Sequence, residues 1–193
     1  MSPKNELRQR LIDARRALPP ATRSRWDAAI GAKVLAWLDR HAPARFGLDD
    51  RIQIGVYWPI QGEPDLQALY QELARRHMTL GLPVVAARHE ALRFAAWSPG
   101  EALTRAAHGV PVPVQRDRFI VPQLLLIPCV GYNLRGFRIG YGAGYYDRTL
   151  ACEPRPLAIG IAYSCALADF AEDAHDVPLD LIVTEQGLVL PPA

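Results

Sequence analysis

Apolar residues along the chain switch between two periods. Leu7, Leu11, Ala14 and Leu18 recur at helical spacing until Pro19-Pro20 closes the run, and Ser2-Pro3 supplies a capping hydroxyl with proline at the first helical position. At about 100° per residue, Lys4, Arg8 and Arg15 fall in one stripe beside that apolar face. A second helix is predicted over roughly Ala21 to Arg40, with Trp26, Ile30, Val34, Trp37 and Leu38 pointing inward. Arg51 to Trp58 then reads as a strand stopped by Pro59, and Asp65 to His77 as a helix with Leu66, Leu69, Tyr70 and Leu73 on one face.

Further strands are predicted over Leu80–Val85, Leu92–Trp97, Gln123–Val130, Leu157–Tyr163 and Leu181–Thr184, with a short helix near Tyr145–Leu150. Val110-Pro-Val-Pro113 reads as a connection too short to divide domains. Strands alternating with helices imply an α/β fold: one layered domain over residues 1–193, with a mainly parallel central sheet flanked by helices.

Composition changes little in this picture. Half of the 193 residues are hydrophobic, enough for a sizeable core. Lys and Arg number 22 against 20 Asp and Glu, and a net charge of +2 argues against a nucleic-acid backbone as main partner. Cys129, Cys152 and Cys165 show no CxxC spacing, so reduced thiols are expected, with no zinc site and no disulfide framework. The amino terminus lacks an apolar core, and no run approaches the roughly 20 residues of a membrane span. The expectation is a cytoplasmic protein with no membrane partner.

Chemistry concentrates in Arg138-Ile139-Gly140-Tyr141-Gly142-Ala143-Gly144-Tyr145-Tyr146-Asp147. Glycines at this density let backbone N–H groups converge on an anion, Arg138 offers a charge, and Asp147 sits where a carboxylate holds Mg²⁺ against phosphates. The run is neither the Rossmann fingerprint nor a P-loop, and a tight structural turn is the competing reading. Lys4 and Arg8, one turn apart, either form a solvated face or reach one phosphate chain together. In Tyr57-Trp58-Pro59-Ile60-Gln61-Gly62-Glu63-Pro64-Asp65, Asp65 suits a helix cap, while Glu63 is a loop acid or a ligand contact. Asp180 opens a strand as a second metal carboxylate or a plain turn acid, and His175-Asp176 suits a structural hydrogen bond better than a catalytic pair. No nucleophile motif occurs.

Taken together, these segments resemble the 5-formyltetrahydrofolate cyclo-ligase family. The likeness runs in order through Lys4-x-x-x-Arg8, Tyr57-x-Pro59-x-x-Gly62-Glu63-x-Asp65, Leu82-Pro83, Phe94-x-x-Trp97, Leu126-Ile-Pro128, Gly136 to Arg148, and His175-Asp176-Val-Pro-Leu-Asp180-x-x-x-Thr184-Glu185. The resemblance implies a CoA-transferase-like α/β fold and Mg²⁺- and ATP-dependent cyclisation of 5-formyltetrahydrofolate to 5,10-methenyltetrahydrofolate. It implies that Lys4, Arg8 and the loop from Arg138 to Tyr146 hold ATP, that Asp147 and Asp180 hold Mg²⁺, and that Glu63, Trp58 and Tyr145 contact the folate. Small molecules are the expected partners, and a monomer the expected state. The sequence departs from the family pattern at Val112-Pro113, Asn133, Ala143 and Ala166. Two other readings stand beside this one: a divergent relative activating another formyl or carboxyl group, and a non-enzymatic RNA-binding module built on the basic first helix.

Overall fold

The computed structural model describes residues 3–47, 52–106 and 109–192. Ser2, the expected cap, and Arg51, the expected first strand residue, lie outside the described residues. The helices are α1 (Pro3–Arg16), α2 (Pro20–Phe46), α3 (Gln67–Arg75) and α4 (Tyr145–Leu150). The strands are β1 (Gln53–Gly55), β2 (Thr79–Val85), β3 (Leu92–Ala96), β4 (Leu103–Arg105), β5 (Pro111–Pro113), β6 (Phe119–Ile120), β7 (Leu124–Pro128), β8 (Gly131–Tyr132), β9 (Arg138–Ile139), β10 (Leu157–Ile161), β11 (Leu181–Val183) and β12 (Leu188–Val189).

Eight strands form one sheet in the order β12-β11-β10-β7-β1-β2-β3-β6. The run from β11 to β2 is parallel, and β3 and β12 pair antiparallel at its flanks. β7 and β10, central in this order, are buried along almost their whole length, as strands covered on both faces must be. One face packs on α2 and α3: Ile30, Val34, Leu38 and Ala42 repeat every four residues and meet Leu69, Tyr70 and Leu73 over Ile54, Leu82 and Ile159. The same stripe carries α2 through to Phe46, six residues beyond the expected end at Arg40. The other face packs Phe94, Leu125, Ile127 and Ile182 against Leu150 of α4 and Leu179. A small third cluster of Ile12, Val130 and Ile139, with Leu7 and Leu11 against it, fastens α1 beside the carboxyl end of β7.

The expected connection at Val110–Pro113 contains a strand instead, β5, which pairs with β4 over Leu103–Arg105. Proline is tolerated there because this two-stranded ribbon has no further neighbour on its outer side. β1 is shorter than expected, although the chain stays extended and Val56 still donates to the Gly81 carbonyl. All three cysteines are free, Cys129 buried and the other two exposed.

Candidate active site at the carboxyl edge of the sheet

The parallel run places the carboxyl ends of β1, β7 and β10 along one edge. There β1 opens into the segment Tyr57–Asp65. A tight turn brings the Glu63 N–H to the Ile60 carbonyl, with Gln61 and Gly62 at φ of 50° and 78°. The turn folds the Glu63 side chain inward until only 5% of it is exposed. One carboxylate oxygen accepts the Ile60 N–H at 2.9 Å, and the other accepts the Tyr141 hydroxyl at 2.8 Å. Burial pushes the Glu63 carboxyl up to about 7, opposed by the Ile60 N–H, the Arg15 charge and the Tyr141 hydroxyl. Asp65 sits beside the helix start and accepts the N–H of Gln67 at 3.0 Å, a capping duty one position earlier than a standard cap.

Tyr141 belongs to the glycine-rich loop, which follows β9 and leads into α4. Gly142 and Gly144 have φ of +93° and +67°, the left-handed region, and a Cβ on Gly144 would lie 2.8 Å from Arg148 Nη1. Ala143 is not among the positive-φ residues, so its methyl group adds no backbone strain. Arg8 of α1 donates to the Gly140 carbonyl at 2.6 Å and also bonds Asn5. Arg148 donates to the Ala143 carbonyl at 2.8 Å and lies 5.0 Å from the Tyr145 ring. The loop is thus clasped by one arginine at each end. Lys4 reaches elsewhere, to Asp173 at 2.6 Å and Asp176 at 3.0 Å.

Two residues expected in the phosphate site have other work here. Ile139 is 1% exposed and packs under α1. Arg138 donates to the Val177 carbonyl at 3.0 Å and pairs with Asp147 at 2.7 Å, with its side chain 5% exposed. Its charge is spent inside the fold, joining β9, α4 and the segment before β11.

The two carboxylates of the expected Asp147–Asp180 metal pair also have contacts of their own. Asp180 accepts the Ala158 N–H at 2.6 Å, near the amino-terminal end of β10, and pairs with Arg155 at 3.0 Å. Each carboxylate has an arginine of its own, Arg138 for Asp147 and Arg155 for Asp180. Among the described residues, no group of three or more His, Cys, Asp or Glu side chains is placed to hold a metal ion. Asp147 keeps one feature that suits Mg²⁺: its contacts with Arg138 and Val177 both use Oδ1. His175 is likewise not bonded to Asp176, which accepts from Lys4 and from the Asp173 N–H.

Of the residues expected to contact folate, Trp58 is half-buried and meets Trp97 edge-to-face, with centroids 6.0 Å apart. The Trp97 indole N–H is buried with no acceptor among the described residues, an open donor beside Trp58. A cleft of ≈ 790 Å³ lies on the α2 side of Glu63, lined by Arg23, Asp27, Gly62, Asp65 and Tyr163 among others. It shares Glu63 with the loop but is not lined by Trp58 or Tyr145.

Sequence reasoning missed Arg15, which it left in the basic stripe. Only 2% of Arg15 is exposed, and its guanidinium donates to the Gln61 carbonyl, the Cys129 carbonyl and the Tyr141 hydroxyl. Its helical spacing from Arg8 and Leu11 was the available signal, but spacing does not say what covers a helix face. Of the departures, Val112 and Ala166 are packing positions, 2% and 5% exposed. Asn133 closes the β8–β9 turn by accepting the N–H groups of Arg135 and Phe137 at 3.0 Å each.

A mostly parallel sheet with a glycine loop and a buried carboxylate joined across its carboxyl edge defines an α/β protein whose ligand site is built from strand-end segments. The chain belongs to the 5-formyltetrahydrofolate cyclo-ligase family, whose model matches residues 1–185. A relative named 5-formyltetrahydrofolate cyclo-ligase, from Mycoplasma pneumoniae, is 32% identical over 185 residues, covering 95% of this chain and 99% of that protein. The solved structure of a 5,10-methenyltetrahydrofolate synthetase from Mycoplasma pneumoniae superposes with a TM-score of 0.76 at 29% identity, covering 95% of this chain and 99% of that one. The NMR structure of Aquifex aeolicus 5,10-methenyltetrahydrofolate synthetase gives 0.77 at 30% identity, covering 98% and 93%.

Proposed function

We propose that the protein converts 5-formyltetrahydrofolate to 5,10-methenyltetrahydrofolate with Mg²⁺ and ATP, releasing ADP and phosphate. The observation that carries this reading is the bond from Tyr141 of the glycine loop to Glu63 in the turn after β1, which sets a phosphate-type loop beside a buried acid. An amide-like formyl oxygen is a poor leaving group, so the hard step is its phosphorylation. Phosphoryl transfer needs positioning and charge neutralisation more than a protein nucleophile. The neighbouring folate nitrogen then attacks the activated carbon, and phosphate departs.

In this reading Lys4, Arg8 and the backbone of Gly140–Tyr146 hold ATP. Arg8 and Arg148 keep the loop in shape through its carbonyls, so its N–H groups remain for phosphate oxygens. We assign Mg²⁺ to Asp147 rather than to an Asp147–Asp180 pair, because Mg²⁺ on a nucleotide commonly takes one or two carboxylates plus phosphate oxygens. When bound, the ion offsets charge on the transferring phosphoryl group. Glu63, Trp58 and Tyr145 contact the folate, Glu63 as an acceptor for ring N–H groups. We further propose that the chain works as a cytoplasmic monomer in one domain; no helix among the described residues is long and apolar enough to cross a membrane.

The test is spectrophotometric: methenyl product should accumulate from 5-formyltetrahydrofolate only when ATP and Mg²⁺ are both present. ATP binding without turnover of that folate would sink the reading. An RNA-binding role finds no support in α1, whose stripe is already engaged within the protein: Lys4 with two carboxylates, Arg8 with the loop, Arg15 with the interior.

A further inference from the structure

We infer that Arg15 is a positioning residue that fixes Glu63 through the Tyr141 hydroxyl, and so ties the folate side of the site to the helix that carries Lys4 and Arg8. The inference rests on the reading of Glu63 as a folate contact. Its ground is the geometry of the relay. Arg15 Nη2 donates to the Tyr141 hydroxyl at 2.9 Å, and that hydroxyl stands 2.8 Å from Glu63. Guanidinium is a donor only, so the hydroxyl accepts from Arg15 and keeps its own proton for the Glu63 oxygen when Glu63 is ionised. In that form the relay has one sense, and it favours ionised Glu63.

The remaining bonds of Arg15 tie it to the same neighbourhood. Nε donates to the Gln61 carbonyl, in the turn that presents Glu63, and Nη1 to the Cys129 carbonyl at the end of β7, both at 3.3 Å. Four segments thus meet on one side chain: α1, the Glu63 turn, the end of β7 and the glycine loop. A guanidinium at 2% exposure is costly to bury unless it is hydrogen-bonded and offset by charge. Here the offsetting charge is Glu63, reached through a hydroxyl rather than by direct pairing. The titratable groups acting with Glu63 are Arg15 from α1, Tyr141 from the loop, Tyr146 from α4, Tyr57 after β1, Tyr70 from α3 and Cys129 after β7. Of these, Arg15 is the cation. Arg8 holds the Gly140 carbonyl from the same helix, so α1 grips the glycine loop at both Gly140 and Tyr141.

The test reads the pH profile of kcat/KM for 5-formyltetrahydrofolate in Arg15→Gln, Arg15→Lys, Tyr141→Phe and Glu63→Gln, with folding checked by circular dichroism. Removing the Arg15 charge should move the acid limb to higher pH by on the order of one unit, lowering kcat/KM at pH 7 roughly fivefold. Arg15→Lys should restore part of the shift, and Tyr141→Phe should move the limb in the same direction by less. A merely structural arginine would lower activity without moving the limb. If Glu63→Gln keeps the wild-type acid limb, the reading of Glu63 as the folate acceptor fails. If Glu63→Gln removes the limb while Arg15→Gln and Tyr141→Phe leave it in place, that reading stands and the role of Arg15 is overturned. Should Arg15→Gln not fold, Tyr141→Phe decides alone, since it deletes one oxygen and keeps the ring.

Discussion

At Glu63, two opposed effects meet on one carboxyl: burial disfavours its charge, and three donors or charges restore part of what water supplied. Burial wins, with the carboxyl pushed from its ordinary 4.5 to about 7. The consequence for stability has a definite sign. Below pH 4.5 both folded and unfolded chains hold the proton. Between 4.5 and about 7 the unfolded chain ionises first, so stability falls as pH rises through that window. Glutamine at this position does not titrate. Glu63→Gln should therefore gain stability relative to wild type from pH 5 to pH 8, by on the order of 3 kcal/mol. Thermal denaturation of both proteins at the two pH values measures this, and a constant difference between them would refute it. Glu63 as a candidate was legible in the chain because an acid between Gly62 and Pro64 has no obvious structural duty. Arg15 was not, because its stripe on a helical wheel is the same whether water or protein lies against it.

At the scale of elements, what was legible follows length. α2, α3, β7 and β10 carry enough turns or enough apolar positions to show a period, and each was placed within two residues at either end apart from the last six residues of α2. β6, β8, β9 and β12 have two residues each, too few for any period, and only tertiary pairing defines them. That matters for function, because β9 delivers Arg138 to Asp147 of α4 and to the Val177 carbonyl. The Arg138–Asp147–Val177 clasp joins three elements, and it changes what mutation of Asp147 should do. Alanine there strands a guanidinium whose side chain is 5% exposed, so Asp147→Ala should lose stability by roughly 2 kcal/mol as well as activity. Asp147→Asn keeps an acceptor for Arg138 and Val177. It should lose turnover with a smaller stability change, seen as a higher melting temperature than Asp147→Ala and an activity deficit of similar size. Equal melting temperatures for the two variants would remove the clasp as a structural element.

Over the whole molecule, the two ends of the chain close on the glycine loop: α1 lies beside it, and the segment before β11 reaches back to α1. Lys4 marks the junction. Partial burial works against its ammonium charge, but hydrogen bonds and charges from Asp173 and Asp176 outweigh that and raise its affinity for the proton. In the proposed reaction the same ammonium meets ATP phosphate, so the two carboxylates and the nucleotide compete for one cation. The competitors are unequal. Asp176 also accepts the Asp173 N–H and shapes its turn, whereas the Asp173 carboxylate bonds Lys4 from a side chain 73% exposed. Asp173→Asn should therefore free Lys4 from one of its two carboxylates without disturbing the turn and lower the KM for ATP about two- to fivefold, the range of an exposed ion pair. Lys4→Met should raise it, and in that background Asp173→Asn should have no further effect, since the ion pair it relieves is already gone. Steady-state titration of ATP across the four proteins forms a double-mutant cycle. Additive effects of the two substitutions would show that Asp173 and ATP do not share Lys4, and that the carboxyl-side segment takes no part in nucleotide binding through this lysine.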